Sequence, residues 1–177
     1  MKARIEIVAS GFGGQGVVRL GQILGEAAVK QGLHVTMLKS HGTEMRGGYV
    51  RSQVVLSPDV IDSPMCENPD YLVALSSSAY SRFKKTVPDY GVIIYDPAFV
   101  ENVDIKSLSC TQRPFPAKDL AMKHFGRPIF TNSIVLGAMA KLIDALDEDK
   151  ILESLLELVP RNHEENREAF KIGLRFC

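Results

Sequence analysis

The segment Gly11-Phe12-Gly13-Gly14-Gln15-Gly16 constrains this chain more than any other, because it satisfies G-x-G-x-x-G in the setting where that pattern carries structure. Before it stands Arg4-Ile5-Glu6-Ile7-Val8, a short β-branched run that reads as a strand. After it, Leu20, Gly21, Leu24, Ala27 and Ala28 recur at helical spacing, with Arg19, Gln22, Glu26 and Lys30 on the opposite face. Glycines allow a tight turn between strand and helix, and the helix N-terminus beyond it offers free N–H groups to an anion. Gly11, Gly13, Gly14, Gln15 and Gly16 are therefore candidate cofactor-binding residues. The alternative is a turn that only packs helix on sheet.

Gly32 ends the first helix and Leu33 to Leu38 reads as a second strand, which completes a βαβ unit with a right-handed crossover. NAD fits this unit poorly. The acid that reads its ribose, expected about 20 residues beyond the glycines at the end of the second strand, is replaced by Lys39 and Ser40. A cation there suits a 2′- or 3′-phosphate, as in NADP or coenzyme A, and Lys39 joins the candidates. The loop His41 to Gly48 then gathers His41, Glu44 and Arg46 among glycines and small residues, which free a backbone to approach another molecule. Arg46 is a further candidate contact. His41 or Glu44 is open to a general-base role, and Glu44 equally to an ion pair with Arg46 or Arg51 that fixes the loop on the sheet.

Tyr49 to Leu56 alternates as a strand with one face less buried, near a sheet edge. Tyr71 to Leu75 and Gly91 to Tyr95 read as buried strands, and Ile105 to Cys110 as a weaker one. Between them Ser76-Ser77-Ser78 caps a helix with Tyr80, Phe83 and Val87 inward, a simpler reading of these serines than a nucleophile. The run Asn132 to Ile143 holds one charge, Lys141, and is apolar on every side, so it is a helix buried in a core or an interface. Asp147-Glu148-Asp149 opens another helix that Pro160 stops, and Glu164 to Leu174 forms the last. The fold expected is α/β: residues 1–177 form one Rossmann-like domain, a mostly parallel sheet with helices on both faces.

Composition removes several classes of function. With 177 residues, 21 basic and 21 acidic side chains, the chain can bury a core unaided and has no net field to recruit nucleic acid or an anionic membrane. Cys66, Cys110 and Cys177 stand alone, without the C-x-x-C spacing of a cluster or zinc site. His124 and His163 lack a spaced metal partner, and no metal site is expected. No signal peptide or membrane span is visible in the sequence, and with the cysteines isolated a reducing cytoplasm is expected.

Three motifs carry a resemblance to a known family. G-F-G-G-Q-G-V at the first turn, S-H-G-T-E-M-R-G-G after the second strand and T-N-S-I-V-L-G-A near residue 135 together resemble the gamma subunit, or gamma domain, of 2-oxoacid:ferredoxin oxidoreductases. The match spans nearly the whole chain, and Thr43 departs from it where proline is common. The resemblance implies one part of an enzyme that oxidatively decarboxylates a 2-oxoacid to its acyl-CoA, 2-oxoglutarate or a branched-chain acid ahead of pyruvate. It implies thiamine diphosphate and iron–sulfur clusters on thiamine-binding and ferredoxin-like partner subunits, and a non-redox role here. That role is structural, with coenzyme A as the candidate ligand of a shared channel and no catalytic residue in this chain. An isolated chain is expected to form a homo-oligomer and to be inactive. The competing reading is a free-standing Rossmann-like nucleotide-binding protein or oxidoreductase, for which a substrate domain is missing.

Overall fold

The structure is a computed structural model that describes residues 4–41 and 49–176. In chain order the elements are β1 (Ile5–Phe12), α1 (Val17–Lys30), β2 (His34–His41), β3 (Tyr49–Ser57), β4 (Tyr71–Ala74), α2 (Ser77–Phe83), β5 (Val92–Tyr95), β6 (Thr111–Pro114), α3 (Ala117–Phe125), α4 (Thr131–Leu142), α5 (Glu148–Leu158) and α6 (His163–Phe176). The strands make one sheet in the order β2-β3-β1-β4-β5-β6. From β1 to β6 the pairing is parallel, whereas β3 runs antiparallel to both of its neighbours, β1 and β2.

This order corrects the simple βαβ reading. β1 and β2 point the same way with α1 between them in sequence, but β3 is inserted between them in the sheet. Antiparallel return needs no crossover helix, so β3 follows β2 directly. β3 is second from the edge and bonded on both sides, and β2 is the edge strand. The expected strand at Ile105 to Cys110 is absent. Ile105 is 71% exposed and β6 begins only at Thr111, a polar edge strand that ends in Pro114. α3 was not foreseen either; it is anchored by Asp96, whose buried carboxylate accepts the Lys118 N–H at 2.8 Å at the helix start.

Helices cover both faces unequally. Ile7 and Ala9 of β1 point into the larger core with Leu20 and Leu24 of α1, Ile134 and Met139 of α4, Ile151 of α5 and Phe170 of α6. Val8 points the other way, to Leu72, Ile93, Tyr80 and Phe83. The split follows from strand alternation. Ser76 caps α2, accepting the Ala79 N–H at 3.1 Å, and Asp147 caps α5, accepting the Asp149 N–H at 2.8 Å.

The apolar helix is core, and the structure accounts for Asn132, Ser133 and Gly137 of its motif. Residues Ser133 to Ala140 of α4 are buried within this chain, chiefly against α6. A Cβ on Gly137 would collide with the carbonyl oxygen of Phe170, and one on Gly173 would collide with that of Ile134, so the two backbones cross in contact. Ser133 Oγ donates to Asn166 Oδ1 at 2.6 Å across the same interface. Asn132 reaches the glycine turn. The apolar surface of α4 is thus spent inside the chain and calls for no partner.

Cys66 is a test of enclosure away from the site. Its Sγ lies 3.8 Å from the Ile7 carbonyl oxygen and 3.7 Å from that of Val54. Burial, with the Glu6 charge adding to it, pushes the thiol up to about 12. Almost no thiolate exists at pH 8, and the thiolate is the reactive form. Iodoacetamide at that pH is expected to label Cys66 far more slowly in native protein than in guanidinium, as read by peptide mass spectrometry. Equal rates would show that the thiol is not enclosed.

Candidate functional site

The glycine turn joins β1 to α1 at the point where the sheet's strand order reverses. From β1 the chain goes first toward β2 and then returns to β4 on the other side, and in open α/β sheets the crevice at such a point is where ligands bind. Gly14 has φ 89° and Gly16 has φ 71°, both left-handed, as a tight reversal into a helix requires. Gly16 is the N-cap of α1, with no side chain capping the first turn, so its N–H groups are available.

The four glycines serve two directions. A Cβ on Gly16 would strike the Asn132 side-chain amide, and one on Gly11 would strike Gln15 and come within 3.0 Å of Leu75 Cβ. These two are small for internal packing. Added Cβ atoms on Gly13 and Gly14 would meet nothing within 4 Å. These two face the outside. Gln15 holds the turn together: its Oε1 accepts the Phe12 N–H at 2.6 Å and its Nε2 donates to the Leu75 carbonyl at 2.9 Å. Its side chain ties the ends of β1 and β4 to each other.

Two depressions flank the turn. The larger, about 440 Å³, is walled by Phe12, Gly13, Gly14 and Gly16, by Arg19 and Gln22 of α1, and by Val50 of β3. Arg19 is held there by a hydrogen bond from Nη1 to the Leu158 carbonyl at 2.9 Å, and it brings positive charge beside the helix N-terminus. The smaller, about 220 Å³, lies at the β1–β4 crevice between Gly14, Gln15, Leu75, Phe99, Ile129 and Asn132. One is suited to an anion and the other to an apolar or amide-bearing group.

The other predicted residues are more scattered. Lys39 is exposed on the edge strand, in register with Ser52, which is in turn opposite Ala9 of β1. It is two strands from the turn and lines neither depression. Arg46 and Glu44 lie outside the described residues. Sequence reasoning passed over Arg19 and Asn132. Arg19 was legible as a cation on the outer face of α1, three residues beyond Gly16; Asn132 stood in the T-N-S-I-V-L-G-A motif, but its contact with the turn depends on how α4 docks. Among the described residues no group of three His, Cys, Asp or Glu side chains is placed to hold a metal ion, and no helix is long and apolar enough to cross a membrane.

Residues 6–176 match the family model described as pyruvate ferredoxin/flavodoxin oxidoreductase. The chain belongs to this family. A 2-oxoglutarate synthase subunit, KorC, of Methanocaldococcus jannaschii is 35% identical over 98% of this chain and 94% of its own length. The gamma subunit of a keto/oxoacid ferredoxin oxidoreductase from Geobacter sulfurreducens superposes with a TM-score of 0.86 at 30% identity, covering 97% of this chain and 95% of that one. A 2-oxoglutarate:ferredoxin oxidoreductase from Magnetococcus marinus, solved with 2-oxoglutarate, coenzyme A and succinyl-CoA bound, gives a TM-score of 0.87 at 25% identity over 99% of this chain and 31% of that chain. This family member therefore has the six-stranded fold of a gamma-type subunit along nearly its whole length.

Proposed function

We propose that the chain is the gamma subunit of a cytoplasmic 2-oxoacid:ferredoxin oxidoreductase and contributes architecture and one wall of a coenzyme A channel. The observation that carries this reading is the end-to-end match to a KorC subunit and to a separate gamma chain. The substrate favoured is 2-oxoglutarate, in keeping with the relatives named above. Thiamine diphosphate and the iron–sulfur clusters belong, in this reading, to thiamine-binding and ferredoxin-like partner subunits.

Coenzyme A fits what the turn offers. The outward faces of Gly13 and Gly14 are open, the first turn of α1 is uncapped, and Arg19 stands beside both. Gly11, Gly13, Gly14, Gln15 and Gly16 would shape a seat for its diphosphate, with Lys39 and Arg46 as the other basic candidates. When bound, coenzyme A supplies the thiol that accepts the acyl group. This chain's residues orient the carrier and keep its charged end at the turn. Gln15 acts inward, holding the turn in shape.

Self-association of the isolated chain would use the surface beside the turn rather than α4, whose apolar side chains are buried in the core. Phe12 is 41% and Ile129 59% exposed, one on each side of the turn, and such apolar residues are covered when copies or partner subunits pack there. The test of function is direct. Purified alone and given 2-oxoglutarate, coenzyme A and a viologen dye, the chain is expected to be colourless and to reduce no dye. Turnover without added subunits, or a visible iron–sulfur band after reconstitution with iron and sulfide, would contradict a non-redox role.

A further inference from the structure

The two edges of the sheet are built differently. β6, at one edge, has only four residues and a proline ends it, the short blunted form that keeps an edge from pairing. β2, at the other, runs for eight residues without proline. Its register with β3 is unbroken from His34↔Ser57 to His41↔Val50, so no bulge twists it away. Among the described residues no backbone hydrogen bond reaches its outer side. Such a strand is a template for another strand. Apolar side chains lie on and beside it: Val35, Met37 and Leu38 are half-buried, and Val29 of α1 is 55% exposed. α1 packs over this edge, since a Cβ on Gly21 would come within 3.1 Å of Met37 Cε and one on Gly25 within 3.3 Å of Val35 Cγ1. Val18 and Gln22 of the same helix also wall the larger depression, so the surface beside the turn runs on to β2.

We propose that a second copy of this chain pairs with β2, antiparallel about a two-fold axis at Met37, and joins two six-stranded sheets into one. The strand is complementary to itself in this register. Opposed side chains share a face of the sheet, so the axis passes through a residue and its own mate. Met37 then faces the partner's Met37, Thr36 faces the partner's Leu38, and Lys39 faces the partner's Val35. Lys39 is exposed and lies on the α1 face, in register with Ser52. Val35 packs under Gly25, whose neighbour Glu26 is exposed and stands near the C-terminal end of α1. Each lysine therefore approaches a glutamate and the negative end of a helix, and symmetry makes the contact twice. An axis at Leu38 would instead set the two lysines diagonally across the junction, about 7–8 Å apart, where like charges repel. An axis at Thr36 would pair fewer residues. Lys39, which lines neither depression, finds its counterpart here. The inference does not depend on the coenzyme A reading.

The full chain, purified alone, is expected to sediment as a dimer. Met37→Cys should give a disulfide-linked dimer on mild oxidation, because directly opposed Cα atoms of antiparallel strands lie about 4.5–5.5 Å apart, within disulfide reach. Lys39→Cys should not link, its mate being about 13 Å away along the strands, and wild type is the blank for the native cysteines. Glu26→Lys and Lys39→Glu should each raise the dimer Kd at least about tenfold. The double variant, with opposite charges restored, should return it toward the wild-type value. A monomer at every concentration overturns the proposal. So does a dimer that neither charge reversal weakens and that Met37→Cys does not link; if Phe12→Asp dissolves that dimer, the copies meet at the turn itself. Hydrogen exchange in β2 that slows only when partner subunits are added would give the edge to one of them and make a second copy the wrong occupant.

Discussion

Replacing Gly137 by valine is expected to destabilise the protein by at least about 3 kcal/mol, because the new side chain has no space to enter. Its Cβ would lie against the Phe170 carbonyl oxygen and 3.0 Å from Gly173 Cα, and both are backbone atoms of a helix that cannot yield as a side-chain tip can. Moving α6 away would open the contact that buries Ile134 and Phe170 and would pull Ser133 from Asn166. For a protein of this size each kcal/mol lowers Tm by about 2–4 °C, so a drop of roughly 10 °C is expected in calorimetry. Gly25→Ala is the control. Its Cβ would meet only Val35 Cγ1 at 3.3 Å, in the middle of a helix where alanine is the better former, and a change within about 1 kcal/mol is expected. Similar Tm values for the two variants would mean that α4 and α6 do not cross at their glycines.

The second large effect concerns binding rather than stability. Gly13→Val is expected to raise the KM for coenzyme A in the assembled enzyme at least about tenfold, about 1.4 kcal/mol, and to leave the 2-oxoacid KM and the Tm nearly unchanged. Gly13 is the right probe because its φ is not left-handed and an added Cβ meets nothing within 4 Å, so the fold has no reason to object. Gly14 is also open, but at φ 89° any other residue strains the backbone and would confuse strain with lost binding. The valine methyls instead fill the space over the turn, where a phosphate oxygen would approach the N–H groups. Unchanged kinetics in an intact complex would leave the glycine turn as a packing device.

Legibility in the sequence followed the strength of local patterns. The turn, α1 and the buried strands β4 and β5 were readable because glycine spacing and apolar runs are local, and α4 because twelve residues with one charge cannot be a surface helix. The insertion of β3 between β1 and β2 was not readable: alternation says that a strand has two faces, not which strands lie beside it. β6 and α3 escaped because Thr-Gln-Arg-Pro has no apolar signal and α3 buries only Ala117 and Ala121. At the site, Gly13 and Gly16 look alike in sequence. The structure separates them, since Gly16 makes room for Asn132 and Gly13 faces the outside.

The most direct measurement is reconstitution by subtraction. The chain, carrying an affinity tag, is co-expressed with the thiamine-binding and ferredoxin-like subunits that the proposed function calls for, and coenzyme A-dependent oxidation of 2-oxoglutarate is assayed with and without it. The tagged chain is expected to bring down both partners, and activity is expected only when it is present. Partner subunits that turn over at the full rate without it, or a tagged chain that purifies free of them, would contradict its place as the gamma subunit.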